Sequence, residues 1–466
     1  MDKLLHFIKR FIPEKLFKAV QPAYHFILSW LAAVINNWPS EKMVVIGVTG
    51  TTGKTTSVYL IARMLEAAGH KTGFTSTAIF NDGEKERLND KKMTMAGRMF
   101  TQRMLRKMAG NGCNFAIVET TSEGIRQFRH RFINYDILVF TGLYEEHIES
   151  HGSFENYKNA KGDLFKHLKN CKHKYIDDNY KVVKALTGIK KIDLNCVKKT
   201  IIINGDDEHA DYFKSFWAEK KIIYSREKEF DSLDGFEIIK YGNIEAKENG
   251  ISFKYDNITL NLELLGAFNA VNAMNAVCVG ISQNINNEII KKGLENIDGV
   301  AGRMEKIKEG QDFTVIVDYA FEPKAVGKLY ESIALIGHNK IIHVLGSAGG
   351  GRDISRRPVL GQIAGEKADY VIITNEDPYD DDPETIIDQV AFGAEKTNKK
   401  RNKDLFLMLD RREAIKKALS LAEENDIVLV TGKGSEQAIC AANGEKISWD
   451  DRAVIRGLLK AGDFKK

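Results

Sequence analysis

From Met43 onward the chain alternates short apolar runs with stretches of helical period. Val44-Val45-Ile46-Gly47-Val48 is followed by a glycine-bearing loop and then by Val58 to Ala68, whose apolar positions repeat with helical spacing. Such a run reads as a buried strand, and the repeated order strand, turn, helix argues for a parallel sheet with helices on both faces. Further buried strands are predicted at Phe115–Val118, Ile137–Phe140, Thr200–Ile203 and Lys221–Tyr224. Between Gly235 and Leu265 the pattern turns to alternation. There Ile251–Tyr255 and Ile258–Leu262 face each other across Asp256-Asn257 as a hairpin, so a β-rich insert is expected. Apolar runs resume near Gly302, with strands predicted at Phe313–Val317, Ile341–Leu345, Tyr370–Thr374 and Ile427–Val430 in what reads as a second α/β domain.

Residues 1–42 follow a different pattern. Lys3, Lys9, Arg10, Lys15 and Lys18 alternate with Leu, Phe and Ile, and Phe26 to Ile35 is nearly all apolar. That run is too short to span a bilayer, which takes roughly 20 apolar residues. Two readings stand: helices that pack on the body of the protein, or a basic amphipathic segment at a membrane surface. The expected division is an arm over 1–42, a central domain over 43–300 and a C-terminal domain over 301–466.

Composition narrows the function classes. Of 466 residues, 43% are hydrophobic and 28% charged, as in a soluble globular chain of several domains. The net charge is +4, with no long basic run interleaved with aromatics, so nucleic acid is not an expected partner. The five cysteines form no C-x-x-C pair, which points away from a disulfide framework or a zinc site and towards a reducing cytoplasm. No signal peptide is read at the N-terminus.

The sharpest local signal is Gly47-Val-Thr-Gly-Thr-Thr-Gly-Lys-Thr-Thr56, placed after a strand and before a helix. Backbone N–H groups and a helix N-terminus there cradle phosphates; Lys54 reaches the terminal phosphates and Thr55 binds Mg²⁺. The strict Walker spacing is not met, because Val48 stands five positions before Gly53.

This loop resembles the T-G-T-x-G-K-T-T variant of the Mur ligase and folylpolyglutamate synthetase superfamily, and other motifs follow in order. Glu119-Thr-Thr-Ser-Glu-Gly-Ile-Arg-Gln-Phe-Arg129 is similar to the family segment that ends a buried strand. Phe140-Thr-Gly-Leu-Tyr-Glu-Glu-His147, His151-Gly152 and Tyr157-Lys-Asn-Ala-Lys161 resemble its metal-binding block. Leu265-Gly-Ala-Phe-Asn-Ala-Val-Asn272 resembles the segment closing the central domain. Gly302-Arg-Met-Glu305 and Val317-Asp-Tyr-Ala320 resemble the opening of the C-terminal one. The resemblance spans Val44 to Glu436 and is nearest to the type that adds the third amino acid of the cell-wall peptide.

It implies an α/β fold: a central parallel-sheet ATPase domain with a phosphate loop and a small β-rich insert, then a Rossmann-like C-terminal domain. It also implies a cytoplasmic, monomeric, ATP- and Mg²⁺-dependent ligase that makes an amide through an acyl phosphate. Catalytic residues would be Lys54, Glu119, His147 and Lys161. Metal ligands would be Thr55, Glu119, His147 and Lys161, the last as a carbamate. ATP would meet Gly50, Thr51, Thr52, Gly53, Lys54, Thr55, Thr56, Asn269, Asn272, Arg303 and Asp318. A muramoyl dipeptide would meet Thr94, Thr121, Ser122, Gln127 and Arg129. The incoming amino acid would meet Arg352, Asp377, Tyr379, Gly432 and Glu436.

Three departures stand out. Met95 takes a position where the family usually has proline, Glu123 one where it has histidine, and only the short arm precedes the phosphate loop, where relatives carry a UDP-binding domain. A lipid-linked, pseudomurein-type or folate-like acceptor, or a non-catalytic nucleotide-binding subunit, are the alternatives. Glu376-Asp-Pro-Tyr379 stands where diaminopimelate-adding relatives have D-N-P-R. Loss of that arginine, with the carboxylates of Glu376, Asp377 and Asp380–Asp382 nearby, favours lysine over diaminopimelate, unless Arg356 or Arg357 replaces it.

Overall fold

The computed structural model describes residues 14–145, 151–186, 194–226 and 234–462, with side chains from Val20 onward. The chain divides into two compact units. The first comprises Met1–Arg87, Met93–Tyr241 and Asn272–Gly293; the second comprises Leu88–Lys92, Gly242–Val271 and Leu294–Lys466.

The first unit contains α1 (Glu14–Ile35), β1 (Val44–Thr49), α2 (Lys54–Ala67), β2 (Thr72–Thr75), α3 (Arg98–Gly110), β3 (Phe115–Glu119), α4 (Ser122–Arg126), β4 (Ile137–Phe140), α5 (Phe154–Leu168), β5 (Thr200–Asn204) and β6 (Lys220–Ser225). The six strands pair in parallel in the order β6-β5-β4-β1-β3-β2. β1, β3, β4 and β5 are buried at every residue, which is why they read as unbroken apolar runs. β1 lies between β3 and β4, so the chain reverses direction across the sheet beside it, and the crevice at the strand ends opens there.

At the opposite end of these strands sits a buried ionic triad. Asp136, just before β4, accepts hydrogen bonds from Lys174 Nζ at 2.5 Å, Lys199 Nζ at 2.8 Å and the Val45 N–H at 2.8 Å. All three charged side chains are fully buried. The backbone carbonyl of Asp136 accepts from Thr200 N–H, so this one residue ties together the starts of β1, β4 and β5.

β7 (Phe236–Lys247) leaves the edge beside β6 and runs on into the second unit. There β8 (Gly250–Tyr255) and β9 (Ile258–Leu262) form the expected antiparallel hairpin, with Asp256 at φ 47° in its turn. α6 (Phe268–Ser282) follows, and then β10 (Glu305–Ile307), β11 (Thr314–Val317), β12 (Ile341–Leu345), α7 (Arg356–Lys367), β13 (Tyr370–Thr374), α8 (Pro383–Glu395), β14 (Leu405–Met408) and β15 (Ile427–Val430). Their order is β10-β11-β15-β12-β13-β14, and only β10 runs antiparallel. Alternate strand residues supply two cores: Ile316, Val371, Ile373 and Leu429 on one face, Val315, Ile372, Val428 and Val430 on the other.

Each strand predicted from the apolar runs is present. Patterning did not indicate β2, β10, β14 or a small antiparallel sheet of His173–Ile176, Val182–Leu186 and Asn195–Val197. Apart from β14, which is apolar but only partly buried, these are short segments with mixed polarity, some of them partly exposed. Among the described residues no helix is long and apolar enough to cross a membrane.

Candidate functional site

The loop between β1 and α2 has the form a phosphate needs. Gly53 sits at φ +79°, a left-handed conformation that a side chain disfavours, and a Cβ there would strike the Asn272 amide oxygen. Gly53 is also the N-cap of α2 and offers no side-chain cap, so no side-chain acceptor at that position engages the first-turn N–H groups of the helix. The loop is held from behind: Thr51 N–H donates to Gly142 O at 2.8 Å, and Thr141 Oγ1 donates to Thr52 O at 2.7 Å.

Two lysines converge on this loop. Lys54 Nζ donates to Gly50 O at 3.1 Å and Thr51 O at 2.6 Å, while Lys161 Nζ, from α5, donates to Gly50 O at 2.7 Å. Lys161 is only 1% exposed and its ammonium lies 4.5 Å from the Tyr157 ring centre; Tyr157 in turn shares a hydrogen bond with Thr51 Oγ1 at 3.1 Å. Thr52 is exposed and Thr56 is buried on the first turn of α2.

Glu119, at the end of β3, is 1% exposed and accepts from Thr55 Oγ1 at 3.0 Å, Thr77 N–H at 2.7 Å and Thr77 Oγ1 at 2.9 Å. Thr77 Oγ1 also shares a hydrogen bond with Thr94 Oγ1 at 2.8 Å. A continuous polar path thus runs from the phosphate loop to the segment read as acceptor-binding. Thr77 is absent from the sequence motifs; it lies in a connection whose position only the fold defines. The Thr55 hydroxyl and Glu119 carboxylate are hard oxygen donors of the kind Mg²⁺ takes along with phosphate and water oxygens. Among the described residues no three His, Cys, Asp or Glu side chains converge as a metal cluster, and His147 lies outside the described residues.

The remaining first-unit candidates have local partners. Thr121 Oγ1 caps α4 by accepting from Gly124 N–H at 3.1 Å. Ser122 Oγ bonds His151 Nε2 at 3.1 Å; burial, with Arg126 nearby, pushes that imidazole down to about 4, so it is neutral at physiological pH. Arg129 grips the Gln127 amide oxygen at 2.6 and 3.1 Å and donates to the Met95 carbonyl.

Asn269, Arg303 and Asp318 belong to the second unit. Asn269 Nδ2 donates to Leu265 O at 2.7 Å, Arg303 lies 4.6 Å over the Tyr319 ring, and Asp318 accepts from Met304 and Ala320 N–H, each at 2.7 Å. Burial raises the Asp318 carboxyl, with Arg303 acting against it.

The same unit holds a dense charge cluster. Asp377 accepts from Lys433 Nζ at 2.8 Å and Lys92 Nζ at 2.7 Å, and Glu436 pairs with both lysines. Lys92 also donates to Ala438 O at 3.0 Å. Burial pushes the Asp377 carboxyl up, but the two ammoniums outweigh it and hold the group below its usual range. Gly432 adjoins Glu376, whose carboxylate a Cβ would strike; Glu376 is buried, and burial and then Asp377 raise its carboxyl. Neither Lys92 nor Lys433 figured among the sequence candidates, although Lys433 lies between two of them, Gly432 and Glu436.

The acidic field expected along Glu376–Asp382 is narrower in the structure. Asp380 accepts from Asn443 N–H at 2.7 Å, Asp381 from Gly350 N–H at 3.2 Å, and Asp382 caps α8 through Thr385 N–H at 3.1 Å. Those three carboxylates are engaged in local structure, which leaves buried Glu376 beside Asp377, itself paired, like Glu436, with Lys92 and Lys433. Tyr379 is half-buried at φ 53° and Arg352 is exposed. Arg356 and Arg357 are buried and engaged, the first with Glu322, the second with Gln389 at 2.7 Å and Ala348 O at 3.1 Å.

A phosphate loop at the reversal point of a parallel sheet, a Thr–Glu oxygen pair beside it and a second α/β unit rich in buried charge define a nucleotide-dependent α/β enzyme. The Mur ligase middle domain profile matches residues 48–197 and 189–280, and that of the Mur ligase, glutamate ligase domain, matches 302–434. A UDP-N-acetylmuramyl-tripeptide synthetase of Roseiflexus sp. (strain RS-1) is 33% identical over 94% of this chain and 82% of its own length. A UDP-N-acetylmuramoyl-L-alanyl-D-glutamate–2,6-diaminopimelate ligase of Geobacillus kaustophilus (strain HTA426) is 30% identical over 92% and 81%. A solved diaminopimelate ligase of the same name superposes with a TM-score of 0.56 at 26% identity, covering 90% of this chain and 79% of that one. The chain belongs to the Mur ligase family and is an ATP-dependent acid–amino-acid ligase of peptidoglycan synthesis.

Proposed function

We propose that this ligase adds the third amino acid to a muramoyl dipeptide, with lysine or a similar diamino monocarboxylic acid as the amine. The γ-phosphoryl of ATP passes to the dipeptide carboxylate, giving an acyl phosphate and ADP; the amine then attacks the acyl carbon, forms the amide and releases phosphate. Gly50–Thr56 hold the phosphates, Lys54 neutralises developing charge, and Asn269, Asn272, Arg303 and Asp318 serve the nucleoside. Thr55 and Glu119 hold Mg²⁺, which supplies charge neutralisation at the phosphates. Lys161 carries a carbamate, whose remaining N–H keeps the bond to Gly50 O and whose oxygens join the metal ligands with His147. The acceptor rests on Thr94, Thr121, Ser122, Gln127 and Arg129.

The observation that carries the reading is the path Thr55–Glu119–Thr77–Thr94, which links the phosphate loop to the acceptor segment in one hydrogen-bonded chain. The amino-acid choice draws support from Tyr379 in place of arginine and from Arg356 and Arg357 being engaged elsewhere. Asp377 and Glu436 are already matched by the ammoniums of Lys92 and Lys433, so the choice rests on the missing arginine. Arg352 then serves the α-carboxylate, and Tyr379 and Gly432 line the side-chain path. The same reading takes the enzyme as a cytoplasmic monomer that touches the membrane through its N-terminal arm.

The test is a matrix of UDP-linked and lipid-linked muramoyl dipeptides against amino acids, scored for ATP hydrolysis and amide product. Phosphate release that needs both substrates is expected, with a higher kcat/KM for lysine than for meso-diaminopimelate. A clear preference for diaminopimelate would overturn the amino-acid assignment, and turnover on folate but not on muramoyl peptide would overturn the acceptor.

A further inference from the structure

Helix α1 packs on the first unit with the wrong side inward by the usual rule for globular helices. The positions it buries are small or polar: Ser29, Ala32, Ala33 and Asn36 are buried, and half-buried His25 bonds the Arg98 guanidinium of α3 at 2.7 Å. The bulky side chains point out. Val20, Tyr24, Ile27, Trp30, Leu31 and Val34 are 37–54% exposed at steps of three and four, so they form one apolar stripe along the helix. From Lys15 to Ser40 the chain has no acidic residue, and Lys3, Lys9, Arg10, Lys15 and Lys18 in the segment leading to the stripe outnumber Asp2 and Glu14.

A cleft of about 240 Å³ lies at the C-terminal end of the stripe, lined by Asn36, Asn37, Pro39, Lys42, Arg106 and Gly110, among others. Neither Lys42 nor Arg106 is in an ion pair among the described residues. The helix ends that border the cleft are closed by their own caps, Trp38 N–H on Ala33 O and Cys113 N–H on Met108 O, each at 3.0 Å, which offsets the negative ends of both dipoles.

We propose that this face docks on an anionic lipid bilayer, with α1 lying in the interface plane and the Lys42–Arg106 cleft taking a lipid headgroup phosphate. The inference rests on the membrane contact proposed above and names its lipid class and the residues that meet it. An apolar stripe with Tyr24 and Trp30, cations at its flanks and no acid is complementary to acyl chains beneath anionic headgroups.

The full-length protein is co-sedimented with vesicles of phosphatidylcholine alone and of equimolar phosphatidylcholine and phosphatidylglycerol. Binding is expected to be tighter on the anionic vesicles and weakened by salt. Lys42→Ala with Arg106→Ala should weaken it roughly thirtyfold, as expected for two cations at a charged surface. Ile27→Glu with Leu31→Glu, both on exposed positions, should abolish binding to either vesicle while circular dichroism stays unchanged. No binding of the wild type to either vesicle overturns the membrane contact altogether, as does binding that survives the Ile27→Glu, Leu31→Glu change. Equal binding to both vesicles, unchanged by Lys42→Ala and Arg106→Ala, overturns the anionic headgroup site while leaving the apolar contact standing. A dimer by light scattering that Ile27→Glu and Leu31→Glu dissolve, without vesicle binding, makes a second copy the occupant and overturns the proposal.

Discussion

Replacing Asp136 by asparagine should destabilise the first unit far more than the loss of one hydrogen bond would. The Asp136→Asn change keeps the size of the side chain and an oxygen for the Val45 N–H, but it removes the charge and sets the amide NH₂ where an oxygen accepted from Lys199. Lys174 would retain Met43 O and Asn134 O, each at 2.7 Å, and Lys199 would retain Tyr135 O at 2.7 Å, but no anion would face either ammonium. Breaking a buried pair by removing one partner costs about 3–5 kcal/mol, against about 1 kcal/mol for a neutral hydrogen bond.

The pH dependence identifies the cause. In the wild type, burial outweighs Asp136 and holds Lys174 down to about 8, against 10.5 for a free lysine. Between those values the unfolded chain binds more protons than the native one, so stability should rise with pH from about 8 to about 10.5. Without Asp136 the native Lys174 loses its proton at lower pH still, so the deficit of Asp136→Asn should be largest below that lowered value, shrink as pH rises towards about 8 and stay level above it. Urea unfolding read by pulsed hydrogen exchange at the amides of β1 and β4 reports this unit separately from the other. A deficit below about 1 kcal/mol at about pH 6, or one that does not shrink between about pH 6 and about pH 8, would refute the argument. Lys174→Met added to Asp136→Asn should restore much of the loss, since an apolar side chain leaves one fewer ammonium uncompensated.

Lys54→Ala should leave the fold intact and lower turnover by about a hundredfold or more, measured as ADP and amide formation, because the loss falls on charge developing at the phosphates. Lys161→Ala should be inactive and partly restored by short carboxylic acids, and intact-mass analysis in bicarbonate should show the added carboxylate on the wild type only. Burial, with Arg411 nearby, pushes His343 down to about 3, and its ring nitrogens are engaged by Tyr330 OH at 2.7 Å and Thr431 Oγ1 at 2.9 Å. Its folded pKa lies below the unfolded 6.5, so stability is lost as pH falls below that value, by about 3 kcal/mol at pH 4. His343→Gln should flatten this acid limb in a pH series of unfolding curves. Gly53→Ala should impair nucleotide binding by equilibrium dialysis, because the left-handed backbone and the Asn272 amide both oppose a Cβ.

The sequence by itself determined the buried core strands, their parallel class and the phosphate loop. β1, β3, β4, β12 and β15 are buried on both faces, so burial makes each predominantly apolar, and polar members such as Glu119 and His343 stand there with hydrogen-bond partners. The loop is equally local, because the Gly53 conformation, Lys54 and Thr55 lie within one turn of chain. The hairpin across Asp256 was legible for the same reason. Tertiary structure decided what depends on distant partners. Thr77 reaches Glu119 across 42 positions and Lys92 reaches Asp377 across 285, and neither carries a local signature. The acidic run at Asp380–Asp382 looked like one field; the fold assigns its members to a cap and two loops and keeps Asp377 with Glu436. In α1 the apolar residues were evident, but periodicity alone cannot say which side of a helix packs. That depended on where the rest of the first unit lies: it buries Ser29, Ala32 and Ala33, with His25 bonded to Arg98 of α3, and leaves the larger side chains outside.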